Sequence, residues 1–215
     1  MTTLYHYSHC PFCVRVRLAF GLLNINYNTR LVAYNDEETP TKLIGKKMLP
    51  VVTDDNGKAM PESLDIINHY DISNVLNTNA IKSSKEFAEF EEFLGKVNNL
   101  VHSLCMPHWA YTKEFDAESR AYFQEKKEAK RGPFKNLVLN REKFENDLKP
   151  LLTELEYKLT PYFKNSEISI YDVMISASLW GLYVLPEFRF SPNIHAYLQN
   201  IKKRSHFDYQ KDLWK

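Results

Sequence analysis

A strand–helix–strand pattern opens the chain and constrains its fold more than any other feature of the sequence. Residues 2–7 alternate as a half-buried strand does, residues 11–24 form a helical stretch, and residues 27–34 are strand-like again. Two strands joined by such a helix pair in parallel with a right-handed crossover. This segment predicts an α/β domain in which the residues after the first strand lie at the carboxyl edge of the sheet.

The elements that follow complete this domain by residue 73. In order, they are a helical stretch at 39–45, a hairpin of the runs VVTD and KAM around the turn Asp55-Asn56-Gly57, and a helix over 62–72. The predicted order of elements is therefore β-α-β-α-β-β-α.

Two cysteines separated by two residues, Cys10 and Cys13, stand at the start of the first helix. Pro11 fits the first helical position, where its missing N–H is not needed. Cys10 then lies at the helix N-terminus, where free N–H groups and the helix dipole favour a thiolate. Cys13 lies one turn later on the same face, within reach of a disulfide formed at Cys10. The pattern favours a redox-active pair, to which Arg17 adds positive charge unless it is a solvated arginine at the edge of the core.

A metal site or a structural disulfide fits these cysteines less well. A closed zinc site needs four ligands, and the only other cysteine is Cys105. His6, His9 and His102 are the histidines that the fold could bring to such a site, but the sequence has no second spaced pair of ligands. Three cysteines are also too few for a disulfide framework. We therefore expect no metal site.

The charge and hydropathy of the chain exclude several classes of protein. The 28 basic and 27 acidic residues give a net charge of +1, so no large field attracts nucleic acid or an anionic membrane. No apolar run approaches the roughly 18 residues that span a bilayer, and the N-terminus lacks the pattern of a signal peptide. We expect a cytoplasmic protein whose partners are small molecules or other proteins, with no nucleic acid and no membrane.

The second half of the chain predicts an all-helical domain after a polar, aperiodic linker at 74–83. Ser83 and Glu86 form a capping-box pattern before a long amphipathic helix. A charged helix is predicted over 117–131, ended by Gly132-Pro133. We interpret its basic residues as a solvated face because acids stand beside them; they are Lys126, Lys127, Lys130 and Arg131.

Three further helices follow. Residues 141–160 have helical apolar spacing, and Pro150 either kinks that helix or starts a new one. Ser169 and Asp172 make a capping box before a stretch that is apolar on all sides, which predicts the buried centre of the domain. Ser191-Pro192 opens the last helix.

The segment Pro61-Glu62-Ser63 has two possible uses. A helix that begins near Glu62 and Ser63 presents free N–H groups and a hydroxyl, an arrangement that binds a carboxylate. In the alternative, Ser63 caps the helix or Pro61 opens it, and no ligand is involved. The residues alone leave both open.

CPFC after the first strand, MLPVV at 48–52 and PESLDI at 61–66 occur in the order and spacing of a known family. Together they resemble the thioredoxin-fold glutaredoxins and the N-terminal domain of glutathione transferases. With the helical second half, the whole chain resembles the glutaredoxin 2 family of large two-domain bacterial glutaredoxins. The resemblance implies an α/β thioredoxin-like domain over 1–73, the linker 74–83 and an all-α domain over 84–215, the architecture of a glutathione transferase.

The same resemblance implies glutathione-dependent thiol–disulfide exchange that reduces protein disulfides and protein–glutathione mixed disulfides. It makes Cys10 the nucleophile and Cys13 the resolving thiol. The implied contacts with glutathione, with Pro50 in cis, are Pro11, Phe12, Leu49, Pro50, Glu62 and Ser63. Phe12 stands where many glutaredoxins have tyrosine, so a hydroxyl near the site is missing.

The resemblance also implies glutathione as co-substrate without a permanently bound cofactor, disulfide-bonded or glutathionylated proteins as partners, and a monomer. The helical domain is then the other wall of a cleft. We expect His102, Met106 and Trp109 to face that cleft, and Cys105 to be an inert thiol of the core.

Three alternatives remain at this point. A cysteine-type glutathione transferase would use Cys10 to bind glutathione, but such enzymes generally have one cysteine, which Cys13 argues against. A noncatalytic interaction module on the same fold would tolerate the loss of Cys10. A glutathione-ligated iron–sulfur carrier would be coloured when purified, and Pro11 and Phe12 are typical of ordinary redox glutaredoxins instead.

Overall fold

The first third of the chain forms a four-stranded mixed sheet in a computed structural model that describes residues 1–208. The strands are β1 (Thr3–His6), β2 (Asn28–Leu31), β3 (Val51–Thr53) and β4 (Ala59–Pro61). Their order across the sheet is β2-β1-β3-β4. β1 runs parallel to β2 and antiparallel to β3, which in turn pairs antiparallel with β4. The parallel pair β1-β2 and the hairpin β3-β4 are the pairings that the sequence predicted.

Three helices accompany the sheet at the positions expected from the sequence: α1 (Pro11–Leu22), α2 (Glu38–Ile44) and α3 (Ser63–Tyr70). The one large difference in length is β2, which has four residues where eight were predicted. All four of its residues are exposed. β2 is the outer strand of the sheet and pairs only with β1, so no second neighbour extends it.

The described residues after 77 are mainly helical. Their helices are α4 (Thr78–Lys82), α5 (Lys85–Trp109), α6 (Ala117–Arg131), α7 (Phe134–Leu139), α8 (Arg141–Glu156), α9 (Ile170–Leu179) and α10 (Pro192–Ser205), with a 3-10 turn at Trp180–Val184. The predicted fold class, a thioredoxin-like α/β part followed by an all-α part, is confirmed. The exact domain limits stay a prediction. No helix within residues 1–208 has the length and apolar character needed to cross a membrane.

Two details near the expected linker differ from the prediction. The segment 74–83 contains the short helix α4, and Ser84 rather than Ser83 caps α5, because its hydroxyl accepts the N–H of Phe87 at 3.2 Å. The hydroxyl of Ser83, the residue after α4, instead donates to the carbonyl of Asn79 in the first turn of that helix. The cap is displaced by one residue because α4 occupies the residues before it.

Pro150 does not start a new helix, since α8 continues through it and ends at Glu156 rather than at residue 160. Leu148 and Leu155 lie buried on either side of the proline, and α8 packs along α5. Tertiary packing of this face outweighs the one backbone hydrogen bond that a proline removes.

The capping box before α9 is confirmed and is more extensive than predicted. Asp172 accepts the backbone N–H and hydroxyl of Ser169, and it also accepts the N–H of Phe163 and the hydroxyl of Tyr197, both at 2.8 Å. These bonds fix the start of the buried helix α9. Because α9 packs against α1, it fixes the helix that follows the cysteine pair as well.

α1 lies between the sheet and the helical half. Val14 and Leu18 belong with Leu4 and Val52 to a hydrophobic core that continues into the helical half, while α9 and α10 pack on α1. At the end of α1, a Cβ placed on Gly21 would lie 1.7 Å from the carbonyl oxygen of Ser205 in α10. The close approach of α1 and α10 therefore requires glycine.

We expect Gly21→Ala to lower the free energy of unfolding by about 3 kcal/mol, since the clash is with backbone atoms that no rotamer change relieves. For a chain of this size the Tm should fall by about 6 °C or more, measured by circular dichroism. Gly95→Ala is the matched control, because nothing lies within 4 Å of a Cβ there and alanine favours the helix by about 1 kcal/mol. A Gly21→Ala variant as stable as wild type would contradict the close approach.

Candidate active site

A cavity of 410 Å³ opens where the carboxyl edge of the sheet faces α5 and α6, and Cys10 lies on its wall. The first half of the chain supplies one side and the helical half supplies the other. His102, Met106 and Trp109 line it, as the sequence predicted. The cleft is thus built by both halves, and the cysteine pair lies at their junction.

Cys10 is the N-cap residue of α1, with extended backbone angles, and Pro11 occupies the first helical position. Cys10 is partly exposed as a residue. A hydrogen bond from the thiol of Cys13 lowers the pKa of Cys10 to about 6; burial opposes this shift, and the charge of His9 and the N–H groups of Phe12 and Cys13 support it. The sequence predicted this helix-terminus effect, but not the larger share of Cys13.

Cys13 is buried, and the backbone N–H of Tyr7 donates to its sulfur at 3.4 Å. Burial and the hydrogen bond to Cys10 raise the pKa of Cys13 well above its usual range. Cys105 is buried far from the pair in sequence, and its thiol donates to the carbonyl of Gly181 at 3.3 Å. Burial raises the pKa of Cys105 too, which agrees with a thiol of the core.

A carboxylate from the helical half holds the loop before Cys10. Glu114, between α5 and α6, accepts the N–H of Ser8 at 2.7 Å and that of His9 at 3.2 Å, and it pairs with the His9 ring at Nδ1. Both side chains are nearly inaccessible, at 4% for Glu114 and 6% for His9. Burial alone would raise the pKa of Glu114, but the His9 charge and these hydrogen bonds hold it below its usual value.

The ring of His9 is enclosed by aromatic side chains from both halves of the chain. Its ring centroid lies between 5.1 and 6.0 Å from those of Tyr7, Tyr34, Trp109, Phe115 and Phe123. The imidazole is therefore held in place one residue before Cys10. Sequence reasoning considered His9 only as a metal ligand and missed Glu114 altogether, because nothing local marks a contact 105 positions away.

A smaller cavity of 180 Å³ adjoins the first and shares Phe12, Met48 and Leu49 with it. Pro50, Glu62 and Ser63 complete its lining, so five of the six residues expected to contact glutathione meet there. The sixth, Pro11, lines the larger cavity. The peptide bond between Leu49 and Pro50 is cis, as the resemblance implied.

The segment Pro61-Glu62-Ser63 does not form a plain cap. Pro61 ends β4, Glu62 is the N-cap of α3 without a side-chain cap hydrogen bond, and Ser63 is the first helical residue. Glu62 has a φ of +70°, a backbone conformation that is unfavourable for any residue other than glycine. Of the two uses open from the sequence, the capping alternative is wrong, and the helix start faces the smaller cavity.

Arg17 does not line the cleft among the described residues. Its guanidinium lies over the ring of Phe207, 4.5 Å from the ring centre, beside a different cavity. Two helical turns separate Arg17 from Cys10, about 10 Å along the axis, which is too far for direct contact. Arg15 is the arginine of α1 that interacts with the Cys10 charge, although burial lowers its pKa to about 10.

The basic residues of α6 are not simply a solvated face. Lys126, Lys127 and Lys130 line the cleft, whereas Arg131 donates to Asn99 on α5. These lysines line the cleft because Phe123 is buried, and its burial turns the neighbouring face of α6 toward Tyr34 and the cavity. Residues 1–208 contain no group of three or more histidine, cysteine or acidic residues that could hold a metal ion.

Comparison with known proteins extends these observations. The family model "Glutathione S-transferase, N-terminal domain" matches residues 4–73, and "Glutaredoxin 2, C terminal domain" matches residues 89–211. Glutaredoxin 2 of Escherichia coli K12 is 31% identical over 206 residues, 94% of each chain.

Solved structures agree with the sequence relatives. Glutaredoxin 2 from Salmonella typhimurium, solved in complex with glutathione, superposes with a TM-score of 0.86 at 31% identity, over 97% of this chain and 96% of that one. A glutathione S-transferase from Ceriporiopsis subvermispora shares the fold at 16% identity, with a TM-score of 0.78 over 94% and 97% of the two chains. The class of enzyme expected from the sequence, a glutathione-dependent thiol oxidoreductase, is confirmed, because the chain belongs to the glutaredoxin 2 family.

Proposed function

We propose that Cys10 is the nucleophile with which the protein reduces glutathione mixed disulfides and protein disulfides. The observation that carries this proposal is the contrast between the two cysteines, since the pKa of Cys10 falls to about 6 while that of the buried Cys13 rises. At pH 7 a thiol with a pKa of 6 is about 90% thiolate. One cysteine is therefore a ready nucleophile, and the other holds its proton until it is needed.

A protein–glutathione mixed disulfide is reduced in two exchange steps. The Cys10 thiolate attacks the glutathione sulfur, the mixed disulfide bond breaks, and the protein leaves as a thiolate that takes up a proton. A second glutathione, as thiolate, then attacks the glutathione sulfur held by Cys10. Oxidised glutathione leaves, and the Cys10 thiolate is regenerated without participation of Cys13.

A protein disulfide needs both cysteines. Cys10 attacks one sulfur of the substrate and forms a mixed disulfide, with the other substrate sulfur leaving as thiolate. Cys13, after losing its proton, attacks the Cys10 sulfur and releases the second substrate thiolate. Two glutathiones then reduce the disulfide between Cys10 and Cys13 and leave as oxidised glutathione. Because this route needs Cys13, the presence of that cysteine favours a dithiol enzyme over the cysteine-type glutathione transferase.

The smaller cavity supports a site for glutathione beside Cys10. Within residues 1–208 the backbone N–H of Leu49 has no backbone partner, so it is available to pair with an extended peptide as an added strand does. The start of α3 at Glu62 and Ser63 offers free N–H groups to the γ-glutamyl carboxylate. The unfavourable φ of Glu62 agrees with a binding role, because such conformations concentrate at ligand sites. The Salmonella typhimurium relative solved with glutathione supports the same co-substrate here.

Glu114 has a positioning role in this proposal. It accepts the two backbone N–H groups that precede Cys10 and holds the His9 ring beside the nucleophile. Disulfide-bonded or glutathionylated proteins as partners, the monomeric state and the cytoplasmic location stay predictions from the sequence.

Replacement of each cysteine tests the two routes. In a glutathione-coupled assay with the mixed disulfide of glutathione and 2-mercaptoethanol, we expect Cys10→Ser to lower turnover by about 1,000-fold or more, because the nucleophile is lost. Cys13→Ser should keep turnover within about threefold, because this route does not use Cys13. Equal loss in both variants, or an active Cys10→Ser variant, would contradict the assignment of the nucleophile.

The pKa of Cys10 predicts how its reactivity depends on pH. The rate of Cys10 alkylation by iodoacetamide, followed by peptide mass spectrometry, should be half-maximal near pH 6 and should fall about tenfold for each pH unit below that. Cys13→Ala should move the midpoint upward, since it removes the thiol that donates to Cys10, whereas Cys13→Ser keeps a donor and should move it less. A midpoint near pH 9 in wild type would falsify the activated thiolate.

Removal of the buried charge tests the role of Glu114. We expect Glu114→Gln to lower the free energy of unfolding by about 3 kcal/mol in urea titrations, because the buried His9 ring and the N–H groups of Ser8 and His9 then lose the carboxylate that they pair with. Glu118→Gln, an exposed position in the first turn of α6, is the matched control and should change stability by less than about 0.5 kcal/mol. Equal effects of the two substitutions would show that the buried pair contributes nothing specific.

A further inference from the structure

The cleft carries a positive charge that the chain as a whole lacks. Of the described residues, those lining the larger cavity include four lysines and no aspartate or glutamate. The full sequence has a net charge of only +1. The cationic lining is thus a local feature of the cleft, and an evenly mixed surface does not explain it.

Three of these lysines, Lys126, Lys127 and Lys130, belong to one face of α6, and we call them the α6 lysine cluster. The ammonium group of Lys126 lies 5.2 Å from the ring centroid of Tyr122, and that of Lys127 lies 5.4 Å from the ring centroid of Tyr34. Both tyrosines line the cleft. Within residues 1–208 none of the three makes an ion pair. Their charge is available to a ligand.

The fourth lysine is already engaged. Lys47 forms an ion pair with Glu37 at 3.5 Å, and Glu37 also accepts the hydroxyl of Tyr122. Another nearby acid is occupied as well, because Glu128 accepts the backbone N–H of Phe134 and turns toward α7. Neither acid forms an ion pair with the α6 lysine cluster, although, after the hydrogen bond from Tyr122, the charge of Lys126 also helps to lower the pKa of Glu37.

The two cavities indicate which half of a mixed disulfide meets these lysines. Glutathione, in the proposed function, occupies the smaller cavity beside Leu49 and Glu62. Cys10 lies on the wall of the larger cavity, which leaves that cavity for the other half of the disulfide. The cysteine-bearing segment of the protein substrate therefore lies against the α6 lysine cluster. Lys127 already interacts with the Cys10 charge, which agrees with this proximity.

We propose that the α6 lysine cluster selects protein substrates whose reactive cysteine lies in an acidic segment. This inference rests on the proposed function and adds the class of substrate to it. Opposite charges across an encounter surface raise the association rate and reject like-charged partners more than they raise affinity. Salt screens such interactions over about 8–10 Å, so the preference should weaken as ionic strength rises.

The test compares glutathionylated peptides of one length whose cysteine is flanked by glutamates, serines or lysines. With wild type at about 20 mM salt, kcat/KM for the acidic peptide should exceed that for the basic peptide by about tenfold or more. At about 500 mM salt the ratio should fall to within about threefold. A ratio near one at low salt would overturn the inference.

Charge reversal locates the preference on α6. In a Lys126→Glu and Lys130→Glu double variant the ratio of kcat/KM for acidic to basic peptide should fall below one, and Lys126→Gln with Lys130→Gln should bring it close to one. The matched control, Lys143→Glu with Lys149→Glu on the exposed face of α8, should keep the wild-type ratio. An unchanged ratio in the α6 variants would overturn the inference.

The mixed disulfide of glutathione and 2-mercaptoethanol separates this inference from the proposed function. Its 2-mercaptoethanol half is uncharged, so the α6 lysine cluster has no charge to select there. If wild type reduces this substrate but does not distinguish the peptides, the proposed function stands and the substrate class is wrong. If wild type reduces none of the substrates, both fail.

Discussion

The carboxylate of Glu114 joins the two halves of the molecule at the point where chemistry takes place. It accepts two backbone N–H groups from the loop that leads into Cys10 and pairs with the His9 ring in the same place. A buried carboxylate is stable only when charge and hydrogen bonds replace the lost water, and this loop supplies both. The helical half is therefore a structural part of the cysteine site and not only its cover.

The cysteine pair shows how environment separates two identical side chains. Cys10 ends an extended segment at a helix start and receives hydrogen bonds, whereas Cys13 lies one turn inside the core. Their mutual hydrogen bond stabilises the Cys10 thiolate and holds the proton on Cys13. Each residue thereby sets the protonation state that the other needs for sequential exchange.

Features written in short stretches of sequence could be predicted, and features that depend on distant contacts could not. The strand–helix–strand unit, the position of Pro11, the box at Ser169 and the start of α10 follow from local rules of spacing and capping. The cis bond before Pro50 came from family resemblance rather than from the residues.

The features that sequence reasoning missed have a common physical cause. Glu114 meets its partners across more than a hundred positions, and the α6 lysines line the cleft because the buried Phe123 sets the orientation of their helix. Of the two uses left open for Arg17, helical spacing could not decide, and its guanidinium lies over the ring of Phe207. Periodicity assigns a side chain to a face, but only packing against another element decides what that face meets.

The two sides of the cleft differ in the kind of group they offer. The side nearer α3 presents backbone groups at Leu49 and a helix start at Glu62, which suit one peptide of fixed structure. The side formed by α6 presents long, flexible ammonium side chains above aromatic rings, which suit partners of variable shape that share only a charge. Cys10 stands where the two meet. In the proposed function, this position lets a single nucleophile serve one constant co-substrate and many proteins without a separate binding site for each.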